Sequence, residues 1–211
     1  GDVYVAFEYN WATNLFGGPC TFSVPVQDIV AYVPASCLPD PDTAPLTPTC
    51  PGPFTENSND IVSMDAAFIP GYNRFPMNDF PRIAVSDYHS SVSIVWNDAR
   101  NKPLGDILLQ SYDLVTLNYI QADPVRLNCD NSFEDGHFLP ALRNTSSDGL
   151  INVTWYDRRG ANAGTAKTDV YGALNLNPRT TTTPSGNFKV TNESTDWLAV
   201  SSDIVPNFGD Y

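Results

Sequence analysis

Two aspartate–arginine pairs hold the residue types best suited to chemistry in this chain: Asp98 with Arg100, and Asp157 with Arg159. A guanidinium fork suits carboxylate recognition, and an aspartate beside it either holds the fork in place or competes with the ligand. Between the pairs lies an acidic loop, residues 129–137, containing Asp130, Glu134, Asp135 and His137. Such groups bind calcium or act as general acid and base, and glycoside cleavage needs two carboxyl groups. The spacing is not that of an EF-hand, so calcium is the lesser alternative and no other cofactor is indicated. Tyr88, Tyr156 and Trp197 are candidate sugar-stacking platforms, with Arg158 beside them as a ligand-binding candidate. Neither histidine, His89 or His137, belongs to a nucleophile motif, and no G-x-S-x-G is present, so Ser/His/Asp catalysis is not expected.

The pairs belong to a longer pattern that occurs twice. Phe80-Pro81 leads to Trp96-Asn97-Asp98-Ala99-Arg100 and then Asp106-Ile107; Leu139-Pro140 leads to Trp155-Tyr156-Asp157-Arg158-Arg159 and then Asp169-Val170. Proline precedes tryptophan by 15 residues in both copies, and the later aspartate precedes a basic residue, Arg126 or Lys189, by 20. A ligand site is normally unique, whereas Trp96, Asp98, Arg100 and Asp106 are matched one for one by Trp155, Asp157, Arg159 and Asp169. The preferred reading is therefore structural. Each arginine is expected to pair with the aspartates at the mouth of its own hairpin, Asp98 with Asp106 and Asp157 with Asp169.

Alternating apolar residues bounded by Gly, Asn, Asp and Pro predict an all-β chain. Each unit reads as four strands, a to d: 82–85, 92–98, 106–111 and 124–128, then 141–143, 151–157, 169–174 and 188–192. Proline cannot donate to a ladder, so Pro81 and Pro140 place strand a on a sheet edge. Trp96 and Trp155 then lie in a central strand and fill the space between neighbouring sheets. Successive four-stranded antiparallel units point to a β-propeller, with strand a lining the channel. A degenerate copy opens the chain, with 3–9 as strand b and 28–30 as the start of strand c, followed by an irregular Pro-rich stretch, 38–79. The expected organisation is one domain: a degenerate unit with a long insertion over 1–79, units at 80–137 and 138–206, and the start of another at 207–211. That makes about three and a half units of an expected six, and the chain reads as a fragment.

A net charge of −13 across 211 residues argues against nucleic acid and anionic membrane surfaces as partners. No run of 18 apolar residues exists to insert in a membrane. Cys20, Cys37, Cys50 and Cys129 lack CxxC spacing, so a zinc site is not expected, and loop-rich surroundings favour disulfide staples. N-x-S/T sequons at Asn144, Asn152 and Asn192 suit an exported glycoprotein, with Asn144 and Asn192 the better candidates because Asn152 falls within a strand. A secreted or cell-surface location is expected.

The array F-x-P/F-P…W-x-D-x-R…D-[IV] resembles that of sialidase-like, Asp-box (BNR-repeat) six-bladed β-propellers. The family's box, S-x-D-x-G-x-T-[WF], corresponds here to Ser111-Tyr112-Asp113-Leu114-Val115-Thr116, which keeps Ser, Asp and Thr. The second unit, at 175–183, keeps almost nothing of it. The resemblance implies a propeller fold, and for catalytic members an arginine clamp, a tyrosine–glutamate nucleophile and an aspartate acid/base. The first clamp arginine lies in an R-I-P motif, but Asp79-Phe80-Pro81 and Phe138-Leu139-Pro140 carry no arginine there. The expectation is a module recognising glycans or extracellular proteins. The alternatives are an exo-acting glycoside hydrolase, with its catalytic residues partly outside these units, and a self-assembling structural subunit.

Overall fold

A computed structural model describes residues 81–98, 101, 104–116, 118–130, 135–160, 167–184 and 186–196, together with the backbone of three earlier strands. The first sheet consists of β1 (Val3–Tyr9), β2 (Val26–Val33) and β3 (Ile61–Met64), in the order β1-β2-β3. The middle sheet is β4 (Arg82–Ser86), β5 (Ser91–Asp98), β6 (Asp106–Asp113) and β7 (Val125–Arg126), a four-stranded meander in chain order. The last sheet repeats it with β8 (His137–Asn144), β9 (Ile151–Asp157), β10 (Lys167–Leu176) and β11 (Phe188–Lys189), while β12 (Thr195–Asp196) pairs with the beginning of β10. All ladders are antiparallel, and no helix occurs among the described residues.

The expected strands are therefore present, though each strand d is only two residues long against the expected 124–128 and 188–192, β12 is additional, and two further differences bear on the repeat. β3 lies inside the stretch read as irregular and pairs Ile29 with Ile61, giving the first unit the counterpart of strand d. β8 begins four residues before the expected strand a. Its register shifts between Phe138 and Ala141, where Leu139 takes a positive φ of 50°. Such a bulge leaves the intervening residues unpaired, which allows Pro140, with no N–H to give, to sit inside a strand. Both β4 and β8 are edge strands, as the prolines require. The expected strand start at 207–211 lies outside the described residues.

Hairpin register sets which side chains meet. Asp98 stands opposite Asp106 and Asp157 opposite Asp169, so each aspartate pair closes the mouth of its own hairpin. Between the middle and last sheets lies the core. Val95, Ile107, Leu109, Val125 and Leu127 of the middle sheet pack on Ile151, Val153, Trp155, Ala173 and Leu176 of the last. Full burial of one such side chain contributes about 1.5–3 kcal/mol, which fixes the two sheets face to face. β5 is buried along its whole length, whereas β9 alternates between buried and partly exposed. The middle sheet is thus covered on both faces and the last sheet on one.

Candidate functional site

The chemistry-bearing residues gather at the end of the sheets where the β5–β6 and β9–β10 hairpins open. Residues i and i+2 of a strand share a face. Trp96 therefore points its indole N–H at Asp98 Oδ2, 2.9 Å away, and Trp155 does the same to Asp157 Oδ2 at 2.8 Å. The second aspartate of each hairpin is held from strand d. Asn128 Nδ2 donates to Asp106 Oδ1 at 2.8 Å while its Oδ1 accepts from Ile107 N. In the last sheet, Thr191 Oγ1 donates to Asp169 Oδ1 at 3.0 Å and accepts from Val170 N. Lys189 Nζ lies 2.9 Å from Asp169 Oδ2, the aspartate-to-basic spacing seen in the sequence. Burial alone would raise the Asp169 carboxyl; the bonds from Lys189, Ser194 and Thr191 outweigh it and hold its pKa below the ordinary value.

At the junction of the two sheets these latches meet the acidic loop. His137 is fully buried, with Nδ1 2.9 Å from the Gly105 carbonyl oxygen and Nε2 2.9 Å from Asp130 Oδ1 and 3.4 Å from Asp157 Oδ2. Both ring nitrogens face oxygen atoms. Arg159 donates from Nε to Asp157 Oδ1 at 2.9 Å and from Nη2 to Asp157 Oδ2 at 2.6 Å. Its guanidinium stacks on Tyr171 at 4.2 Å and also reaches Asn187 Oδ1. Burial pulls this guanidinium down, but the bond to Asp157 and the charges of Asp157 and Asp130 prevail and hold its pKa above the ordinary value. The expected arginine–aspartate pairing is present in the last sheet, though the partners of Arg159 are Asp157 and, at 3.6 Å, Asp130, with Lys189 taking Asp169.

Arg158 differs between the copies, since Ala99 holds its place in the first. It is buried, its guanidinium lies 5.4 Å over the Phe138 ring, and Nε donates to Thr168 Oγ1. Burial brings it down to about 10, outweighing the charge of Asp196. Phe138 stacks in turn on Tyr156. Tyr156 faces away from the Trp155 layer and is partly exposed, as strand alternation requires.

The other sequence candidates are distributed as follows. Tyr88 is exposed on the turn between β4 and β5, far along the strand from the hairpin mouths, and contacts His89 edge to face. Asp135 is half-buried beside the junction. Glu134, Trp197 and Arg100 lie outside the described residues, as do Cys20, Cys37 and Cys50. Cys129 carries a free, exposed thiol, with its N–H given to Asn187 Oδ1 and Sγ turned toward the Leu127 carbonyl. Among the sequons, Asn144 donates its Nδ2 to Val85 O at 2.6 Å, Asn152 Oδ1 accepts from Asn175 N, and Asn192 is exposed after β11. Among the described residues no group of three or more His, Cys, Asp or Glu is placed to hold a metal ion.

The opposite end of the sheets carries the turns that resemble an Asp-box. Asp113 Oδ1 accepts from Val115 N, Thr116 N and Thr116 Oγ1. Asn177 caps the equivalent turn of the last sheet through Arg179 N, a role the sequence reading missed because asparagine replaces aspartate there. Arg179 then crosses between sheets to the carbonyls of His89 and Ser90 and to Asp113 Oδ2 at 2.7 Å.

No protein-family model matches the chain, the sialidase-like Asp-box family included, and no curated protein matches it. Among solved structures it is similar to an N-acetylgalactosamine deacetylase from F. plautii in complex with blood group B trisaccharide, at 14% identity and a TM-score of 0.37. The likeness covers 81% of this chain and 44% of that chain, so the present chain spans less than half of that protein's length. At that identity and score it assigns neither a family nor an activity.

Proposed function

We propose that this chain is part of a sialidase-like β-propeller, secreted or displayed at a cell surface, that recognises a glycan or an extracellular protein. One observation carries the reading. The aspartates that look catalytic form the same hydrogen bonds at the same spacings in two successive sheets, Trp to Asp two residues on and Asp to Asn or Thr 22 residues on. Groups repeated once per sheet serve the scaffold, and ion-pair networks of this kind also occur where no chemistry takes place. Recognition then falls to what differs between copies at the same end: Arg158 over Phe138, the Asp130–Asp135 loop and the segment between β9 and β10. Arg158 has no counterpart in the first copy, where Ala99 holds its place, and a guanidinium fork suits a carboxylate, which makes carboxylate-bearing sugars the first class to test.

The protein is tested on an array of acidic and neutral glycans, alongside a panel of fluorogenic glycosides that includes a sialoside. Binding without turnover, weakened by Arg158→Gln with the fold intact, is the expected result. Turnover abolished by replacing a carboxylate would establish the hydrolase alternative instead. No binding to any glycan or extracellular protein fraction, together with a large ordered oligomer, would leave the assembly reading in its place.

A further inference from the structure

Side chains alternate where the chain leaves β9. Trp155, Asp157 and Arg159 carry the scaffold contacts, while Tyr156 and Arg158 turn the other way, toward Phe138. Arg158 is 5% exposed, with its guanidinium 5.4 Å from the Phe138 ring centre and its Nε 3.2 Å from Thr168 Oγ1. Beside Thr168 lies β12, where Thr195 pairs with Thr168 and Asp196 with Lys167. The chain arrives there from β11, which pairs Lys189 with Tyr171, by way of Thr191 and Ser194, whose hydroxyls both donate to Asp169. The end of the last sheet therefore crosses the mouth of the β9–β10 hairpin next to Arg158. Asp196 is carried there with it, and its negative charge acts on the Arg158 guanidinium.

A guanidinium buried this far meets a ligand only if part of its cover moves. Phe138 is fully buried, stacked on Tyr156 and held in β8. Thr168 adjoins the last pair of the β9–β10 ladder, Asp169 with Asp157. β12 is held to β10 by two residue pairs, with Thr195 exposed and Asp196 half-buried. Segments with few buried contacts and exposed backbone bonds open at the lowest cost. We propose that β12 is a displaceable strap over Arg158, with Asp196 as the resident carboxylate that an acidic ligand replaces. A carboxylate-bearing ligand exchanges one anion for another at the guanidinium. A neutral sugar that displaced the strap would leave Arg158 without that anion, so the strap also selects against neutral ligands. The exchange rests on the acidic-ligand reading of Arg158, whereas the strap itself does not.

Phenylglyoxal modifies guanidinium groups, and peptide mass spectrometry of the treated full-length protein reads the cover over Arg158 without any glycan. In the unaltered protein Arg158 is expected to react severalfold more slowly than exposed Arg126. Asp196→Asn is expected to speed Arg158 severalfold while Arg126 and Arg159 keep their rates, with an unfolding midpoint in urea close to that of the unaltered protein. The same variant should bind an acidic sugar probe, N-acetylneuraminic acid or glucuronic acid, about threefold more tightly or better, the scale of losing one competing ion pair. Asp196→Glu keeps the carboxylate and should stay near the unaltered protein in both measurements. Arg158 reacting in Asp196→Asn at its original rate would overturn the proposal. So would an acidic sugar that binds the unaltered protein and binds the variant no better, because a carboxylate that merely positions Arg158 would weaken binding when removed. Faster modification of Arg158 in a protein that binds neither probe would support the strap and count against the recognition reading alone.

Discussion

Trp155 donates its indole N–H to Asp157 Oδ2 at 2.8 Å, and that same carboxylate receives both arms of Arg159. One buried aspartate thus joins the layer between the sheets to the hairpin mouth, and His137 brings the preceding loop to it. Replacing Asp157 by Ala removes the charge that neutralises Arg159 and leaves the indole N–H without its acceptor. Breaking a buried pair by removing one partner costs about 3–5 kcal/mol. Trp155→Phe keeps the aromatic body and loses one charge-assisted hydrogen bond, about 1.5–3 kcal/mol. Urea denaturation of the single and double variants checks this. The double variant is expected to lose clearly less than the sum of the singles, because the two residues share the bond. Additive losses would show that the contact does not contribute.

At the opposite end, the Arg179–Asp113 contact gives a pH dependence. The Arg179 bond, followed by the N–H bonds of the turn, lowers the Asp113 carboxyl to about 2. The unfolded chain has an ordinary aspartate near 3.9. A carboxyl lowered on folding stabilises the protein fully above its unfolded pKa and loses that contribution as the pH falls through its folded pKa. Asp169 is lowered as well and adds in the same direction. Thermal melts are therefore expected to be flat above about pH 5 and to fall toward pH 2. Arg179→Ala should reduce the fall while lowering neutral-pH stability by roughly 1 kcal/mol, the scale of an exposed ion pair with added carbonyl bonds. An unchanged acid slope in that variant would remove Arg179 as the cause.

Much of this arrangement is legible in the sequence, for physical reasons. Period-2 alternation and the polar turns fix which aspartates face each other, so the Asp98–Asp106 and Asp157–Asp169 pairings follow from strand positions alone. The W-x-D spacing also contains the indole bond, because residues two apart share a strand face, whereas the partner expected for each aspartate is an arginine. Asn128 and Thr191 were hidden by their different identities: an amide and a hydroxyl fill one role, and only their equal distance from Asp106 and Asp169 links them. β3 escaped because four residues among polar and proline-rich neighbours give too few alternations to count. β8 is longer than the expected strand because a bulge absorbs Pro140, which alone suggests a strand boundary.

Gly172 tests the packing of the last sheet from within. A Cβ at this position would lie 2.8 Å from the Phe188 ring and 3.0 Å from the Val153 carbonyl oxygen. The backbone oxygen cannot withdraw without breaking the β9–β10 ladder, so the aromatic ring must move. Gly172→Ala is expected to cost about 1–3 kcal/mol despite its better strand propensity, the range for overpacking. Combining it with Phe188→Leu should recover part of that loss, measured by urea midpoint. Full tolerance of the alanine would mean that Phe188 does not rest over the glycine.

Arg159 separates scaffold from ligand site most directly, since it is the residue the sequence marks for carboxylate recognition. Its two-armed contact with Asp157 and its stacking on Tyr171 need a planar guanidinium. Lysine keeps the charge but supplies neither the fork nor the plane, so the substitution is not conservative here. Arg159→Lys is expected to lower stability by roughly 1–3 kcal/mol, in line with losing one charge-assisted bond and a cation–π contact. It should leave the affinity for a bound glycan unchanged, because Asp157 and not a ligand occupies the fork. Arg158→Gln should do the reverse, weakening an acidic glycan more than it weakens the fold. The two variants are compared by isothermal titration and by urea denaturation on the same preparations. If Arg159→Lys weakens glycan binding while its unfolding midpoint stays at the wild-type value, the fork belongs to the ligand and the scaffold assignment of the repeated aspartates fails with it.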